Sequence, residues 1–159
     1  MKPKLYIETT IVSYYTGRGS RDLIIAARQE ETRCLWPKLL SEFETYISAL
    51  VYEEASVGDA NAAQKRLDAI KPFPVLDIDD ESQVLAETLL GGNAIPEEYP
   101  EDAMHIAIAA INGINVLVTW NFTHINNPFK RMMIRQIVEN AGYQCPEICS
   151  PDELMEAKP

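Results

Sequence analysis

The chain is short of the residues that soft-metal and disulfide chemistry require: 3 cysteines and 2 histidines among 159 residues. The cysteines Cys34, Cys145 and Cys149 are odd in number, and the close pair is spaced C-x3-C. Neither His105 nor His124 lies near that pair in sequence, so reduced thiols are predicted rather than a disulfide framework or a zinc site. Long apolar runs are missing too. Residues 106–111 (IAIAAI) fall far short of the roughly 18 residues of a membrane span. The opening MKPKLYIETT has no apolar h-region, so no secretory signal is predicted and a cytoplasmic location is expected. Basic charge is scarce: Lys+Arg is 14 against 24 Asp+Glu, a net charge of −10. A general nucleic-acid coat needs a basic face, and this chain lacks one globally.

What is present is an ordinary globular composition, 47% hydrophobic and 24% charged, which excludes disorder as the dominant state. The length fits one domain over residues 1–159. The acidity is uneven: residues 41–110 hold 15 acidic and 3 basic residues, whereas residues 1–40 hold 7 basic and 4 acidic. Local basic groups stand at Arg18 and Arg21, and at Lys130, Arg131 and Arg135. The dense acids of the middle segment suit solubility, cation binding or a basic partner.

No internal repeat, low-complexity tract or linker interrupts the chain. Residues 4–7 (KLYI) and 11–14 (IVSY) are rich in β-branched and aromatic types, and the first predicts an opening strand. Ser20 is expected to cap a long helix with Leu23, Ala27 and Cys34 on its apolar stripe, bent or ended by Pro37. Its Leu23, Ile24, Ile25, Leu35 and Trp36 exceed what one buried face needs. A second strand is predicted over 44–48, followed by a short helix capped by Ser48 and another capped by Asp59. Residues 73–77 read as a short edge strand, since Pro74 cannot complete a central ladder. A helix from Asp79 or Asp80 to Gly91-Gly92, an apolar helix over 101–112 closed by Gly113, and a buried strand over 115–119 follow. A helix over 128–141, a strand near 146–149 and a helical turn over 151–156 complete the pattern. Strands alternating with helices predict an α/β fold, a three-layer α/β/α sandwich with a mostly parallel central sheet.

In such sheets ligands gather beyond the carboxyl ends of the strands. Glu8 follows the first strand, and an acid between apolar strand residues and a Thr pair is costly to bury without a partner. Asn121 follows the 115–119 strand. Asp102 lies in the first turn of the helix leading into that strand, where the helix dipole favours a carboxylate. Glu54 falls three and four residues after Val51 and Leu50, which puts it on the inner face of its short helix and Glu53 nearer solvent. Oxygen ligands without His or Cys suit Mg²⁺ or Mn²⁺, and such ions clamp phosphodiesters and activate water. His105, one turn after Asp102, and His124, three after Asn121, read as residues with local structural hydrogen bonds, and Trp120 as packing over the sheet edge.

Taken together, segments 5–16 (LYIETTIVSYYT), 47–56 (ISALVYEEAS), 101–113 (EDAMHIAIAAING) and 116–125 (VLVTWNFTHI) resemble the four motifs of the PIN domain, in order and over residues 4–150. The resemblance implies a Mg²⁺- or Mn²⁺-dependent ribonuclease acting on RNA, and a VapC-type toxin with an antitoxin protein as partner and a homodimeric assembly. It implies Glu8, Glu54, Asp102 and Asn121 as catalytic residues, with Glu8, Asp102 and Asn121 as metal ligands. Thr119 matches the hydroxyl residue two before the fourth position. Two positions depart from the family pattern. Glu8 stands where Asp is usual, a carboxylate moved by up to about 1.5 Å, one C–C bond. Asn121 stands where Asp is frequent and removes a charge. These departures set a second expectation beside the nuclease: a catalytically weakened PIN-like module that binds a protein or RNA. A phosphotransfer domain would want an Asp nucleophile, and Glu8-Thr9-Thr10 does not supply one.

Overall fold

The computed structural model describes residues 1–157. Five strands, β1 (Lys4–Ile7), β2 (Glu44–Ser48), β3 (Val75–Leu76), β4 (Val116–Val118) and β5 (Glu147–Cys149), form one sheet in the order β3-β2-β1-β4-β5. All pairings are parallel: Tyr6 lies opposite Tyr46 on one side and Leu117 on the other, and Leu117 in turn opposite Ile148. Eight helices connect the strands: α1 (Thr9–Thr16), α2 (Leu23–Ser41), α3 (Ala49–Ala55), α4 (Ala60–Ile70), α5 (Asp80–Gly91), α6 (Pro100–Ile111), α7 (Pro128–Asn140) and α8 (Pro151–Glu156). Successive strand residues point to opposite faces. Leu5, Tyr6 and Ile7 are all fully buried, so helices cover both faces of the sheet, as a parallel sheet requires. The predicted α/β architecture is present, with a sheet that is wholly parallel.

β3 is the short edge strand that Pro74 predicted, reduced to Val75 and Leu76. The run 11–14, strand-like in composition, lies within helix α1. The Glu8 carboxylate accepts the Thr10 amide and starts the helix, while Ile11 and Val12 bury into the core. Core contact therefore outweighs β propensity here.

The expected start and face of α2 need correction. Asp22, not Ser20, is the N-cap, accepting the Ile24 and Ile25 amides at 2.9 and 3.1 Å. The buried face carries Gln29, Thr32, Leu35, Trp36 and Leu39, whereas Leu23, Ala27 and Cys34 are exposed. Pro37 neither ends the helix nor enters the core. It lies on the solvent side, and burial of Leu35, Trp36 and Leu39 carries the helix past it to Ser41. The missing amide is offset by tertiary packing.

α6 begins at Pro100, one residue before its predicted start, with proline at the first helical position where its missing N–H costs nothing. Ala103 and every residue from His105 to Ala110 are buried, so the helix is apolar almost all round and passes through the core. Gly113, at φ 68°, takes the left-handed position just past the helix end. No helix among the described residues is long and apolar enough to cross a membrane.

Candidate active site

The chain runs outward from β1 through β2 to β3, then returns to place β4 on the other side of β1. The strand order reverses between β1 and β4. In open α/β sheets that switch point, at the carboxyl ends of the strands, is where a crevice forms. Glu8 leaves β1 there, and Thr119, Trp120 and Asn121 leave β4 beside it: the Glu8 amide bonds to Val118 O at 3.3 Å.

Glu8 is buried, with 3% of its surface exposed. One carboxylate oxygen, Oε1, takes the Thr10 amide at 3.0 Å, the Thr119 hydroxyl at 2.9 Å and the Thr10 hydroxyl. Even so, burial pushes its carboxyl from the ordinary 4.5 up to about 7. The charge of His105 and the hydrogen bonds from Thr119 and Thr10 pull the other way, and Glu54 adds a smaller push upward. The Thr10 hydroxyl also accepts the Trp120 amide at 2.9 Å, which ties the β1 exit to the β4 exit.

Glu54 sits at the end of α3, half-buried, while Glu53 faces solvent. Its Oε1 accepts the Thr9 hydroxyl at 2.6 Å and lies 2.6 Å from His105 Nε2. Burial alone would raise the Glu54 carboxyl. The hydrogen bond and charge of His105, with help from Thr9, outweigh it and hold the group below its ordinary value. The other ring nitrogen of His105 lies 2.6 Å from the Tyr6 hydroxyl, itself 2.7 Å from Ser48 Oγ. Ser48 closes the chain by capping α3 through the Val51 amide at 3.2 Å. Burial would lower the imidazole, but the bond to Glu54 and the charges of Glu8, Glu54 and Asp102 raise it. One buried imidazole thus joins Tyr6 of β1 to Glu54 of α3 through direct hydrogen bonds.

Asp102, in the first turn of α6, places Oδ2 2.8 Å from His124 Nδ1. The His124 amide donates to Asn121 Oδ1 at 3.0 Å, and the Asn121 amide donates to the Thr119 hydroxyl at 2.9 Å. A continuous hydrogen-bonded path therefore joins Glu8, Thr119, Asn121, His124 and Asp102. Tyr99 lies against the His124 ring, with centroids 4.1 Å apart.

The four candidates named from the sequence lie on two separate networks, Glu54 on the one through His105 and Glu8, Asn121 and Asp102 on the other. Asn121 enters through its backbone and as the acceptor for His124. Sequence reasoning undervalued His105 and His124, which hold Glu54 and Asp102, and passed over Tyr6. The signal was the spacing: His105 follows Asp102 by three residues and His124 follows Asn121 by three, one helical turn or tight loop in each case. Trp120 is packed rather than offered for stacking. It is 6% exposed, and its Nε1 donates to the Thr32 hydroxyl at 2.8 Å.

The donors are hard oxygens, which suit Mg²⁺ or Mn²⁺. Hydrogen bonds among the described residues engage Oε1 of Glu8, Oε1 of Glu54 and Oδ2 of Asp102, leaving the second oxygen of each carboxylate without a protein partner. No group of three or more His, Cys, Asp or Glu side chains among the described residues is arranged to hold a metal ion. The described residues do not form a closed protein cage for a metal ion.

The sheet topology is that of a PIN-like α/β fold. Among solved structures, the chain is similar to one in the crystal structure of VapBC2 from Rickettsia felis bound to a DNA fragment from their promoter. The TM-score is 0.59 and the identity 15%, over 92% of this chain and 98% of that one. At that identity the likeness establishes the fold alone. No protein-family model matches the sequence, and no curated protein matches it.

Proposed function

We propose that this protein is a Mg²⁺- or Mn²⁺-dependent endoribonuclease of PIN type, acting as the toxin of a toxin–antitoxin pair. The observation that supports the proposal is that Glu8 and Asp102 stand on one hydrogen-bonded path at the switch point of the sheet, with Glu54 held by the neighbouring His105. Glu8, Asp102 and Asn121 would hold the cation, with Glu54 beside them. When bound, such an ion clamps the phosphodiester and activates a water for in-line attack.

The chain's own residues do the positioning. The Thr10 and Thr119 donors fix one oxygen of Glu8 and orient the other. His124 holds Asp102 by one oxygen and Asn121 by its amide oxygen. His105 and Thr9 hold Glu54 ionised, since its carboxyl lies below its ordinary value. Such outer partners orient ligands and support their charge. No side-chain nucleophile is required.

The fold shared with the VapBC2 structure supports the toxin reading and an antitoxin partner. A homodimer is part of the proposal, supported by the exposed Leu23 (85%) and Ile24 (65%) at the start of α2. A second reading is a catalytically weakened PIN-like module that binds a protein or RNA. The longer Glu8 in place of Asp favours it, as does the absence, among the described residues, of a group of three His, Cys, Asp or Glu side chains arranged to hold a metal ion.

Incubation of the purified protein with RNA separates the two. Cleavage that needs Mg²⁺ or Mn²⁺ and disappears in Asp102→Asn is the expected result. Cleavage that persists at full rate in Asp102→Asn contradicts the assigned site, and no cleavage with either ion favours the binding module.

A further inference from the structure

The acidic middle of the chain, residues 41–110, contains only three bases: Lys65, Arg66 and Lys71. Two of them, Lys65 and Arg66, line one groove with Arg18, and the groove has a volume of about 340 Å³. Its other walls are Ser13, Thr16 and Gly17 at the end of α1, and Asp59, Asn61 and Ala62 at the start of α4. Arg66 is committed to structure, since its guanidinium donates to the Ala55 and Val57 carbonyls. Asp59 is likewise engaged, accepting the Ala62 amide at 3.0 Å. Arg18 and Lys65 are exposed and form no salt bridge among the described residues.

The segment that presents Arg18 is held from below. Gln29 is 4% exposed, donates to the Arg18 carbonyl at 2.7 Å and accepts the Ser20 amide at 3.0 Å. Gly17 lies so close to this clamp that a Cβ there would meet Ser13 O at 2.9 Å and Gln29 Nε2 at 3.5 Å. The loop carrying the free arginine is therefore fixed in place rather than left to sample solvent.

The groove is also joined to the candidate active site. Thr9, Ser13 and Thr16 recur at four and three residues and so share one face of α1. Thr9 bonds Glu54 at 2.6 Å, and Ser13 and Thr16 line the groove. At 1.5 Å per residue the stripe covers about 10 Å from Thr9 to Thr16. A stacked nucleic-acid strand rises about 3.4 Å per nucleotide, so that span is roughly three nucleotides.

Resting on the ribonuclease reading above, we infer that this groove is a backbone-phosphate subsite. Arg18 and Lys65 would hold the RNA strand about three nucleotides from the bond that is cut. The Ser13 hydroxyl donates to the strand between them, whereas the Thr16 hydroxyl is engaged with the Val12 carbonyl at 3.1 Å. The contacts are to phosphate, so they add affinity and register without base preference.

The test uses a fluorescein-labelled single-stranded RNA of about 12 nucleotides, long enough to span site and groove. Its binding is followed by anisotropy in EDTA across a salt series, with cleavage of the same RNA in Mg²⁺ measured in parallel. Each phosphate contact on a single strand contributes about 0.7 to the slope of log affinity against log salt, so Arg18→Ala with Lys65→Ala should flatten the slope by about 1.4. If the curves meet at about 1 M salt, that difference is about 25-fold weaker binding at 0.1 M. Lys2→Ala with Arg33→Ala, which removes the same charge away from the groove, should leave the slope close to wild type.

An unchanged slope in the groove variant, an equal loss in the control variant, or wild-type protein that does not bind the RNA each overturns the inference. A groove-dependent slope without cleavage by wild type supports the subsite and removes the nuclease reading. Cleavage with a groove-independent slope does the reverse.

Discussion

Replacing Glu8 by Gln should make the protein more stable at neutral to alkaline pH while abolishing its proposed activity. Burial raises the Glu8 carboxyl from 4.5 to about 7. Between those values the folded chain keeps a proton that the unfolded chain has released, so this group makes stability fall as pH rises through that window. One pKa unit corresponds to 1.36 kcal/mol. The native carboxylate therefore costs about 1 kcal/mol at pH 5 and about 3 kcal/mol at pH 8, relative to a group that stays neutral. Gln keeps an oxygen for the Thr10 amide and the Thr10 and Thr119 hydroxyls that now serve Oε1, and it carries no charge. It forfeits the attraction between Glu8 and His105, which is part of what raises the imidazole, so the gain at pH 8 is about 1–3 kcal/mol. Urea unfolding of both proteins in EDTA at pH 5 and pH 8, followed by fluorescence of Trp36 and Trp120, measures it. Glu8→Gln that is no more stable than wild type at pH 8, or equally stabilised at both pH values, refutes the reasoning. A residue whose removal stabilises the fold is retained for what it does, which is the signature of a site under functional constraint.

Further expectations concern the partners of the acids. His124→Ala frees Asp102 from its 2.8 Å hydrogen bond and should lower Mn²⁺ affinity or RNA cleavage by about 10–100-fold, measured with an unchanged melting temperature. His105→Ala removes the bonds to Tyr6 and Glu54 and should cost about 2–4 kcal/mol, discounted because Glu54 is partly exposed. The raised imidazole contributes stability that is fully present below its ordinary value of 6.5 and lost as pH rises through its folded value. The His105→Ala penalty, read by denaturant unfolding, should therefore be larger at pH 6 than at pH 9. Thr32→Val strands the buried Trp120 Nε1 donor and should cost about 1–3 kcal/mol in thermal unfolding.

The alternation of strands and helices was legible in the sequence because β1, β2 and β5 run directly into residues that cap the next helix, Glu8, Ser48 and Ser150. Ser48, Asp59 and Asp79 cap where their position suggests, and Ser48 does so while its hydroxyl meets Tyr6. The inward face of Glu54 followed from its spacing to Leu50 and Val51, since helical periodicity needs no tertiary knowledge. The strand order was not legible: parallel neighbours β1 and β4 lie more than a hundred residues apart, and no local pattern announces that pairing. Propensity failed at α1, where Ile11 and Val12 bury in a helix, and on α2, where Leu23 and Ile24 are apolar yet exposed. In both places what a residue packs against decides its conformation and burial. His105 read as an ordinary buried histidine because its partners, Tyr6 and Glu54, come from β1 and α3 and meet it only in three dimensions.

A crystal soaked in Mn²⁺ tests the central claim most directly, through the anomalous signal of the ion. The account predicts a peak at the switch point of the sheet, within bonding distance of Glu8 and Asp102, and its loss in Asp102→Asn. An ion bound elsewhere, or a clean map at Glu8 and Asp102 when the soaked crystal carries manganese, contradicts it.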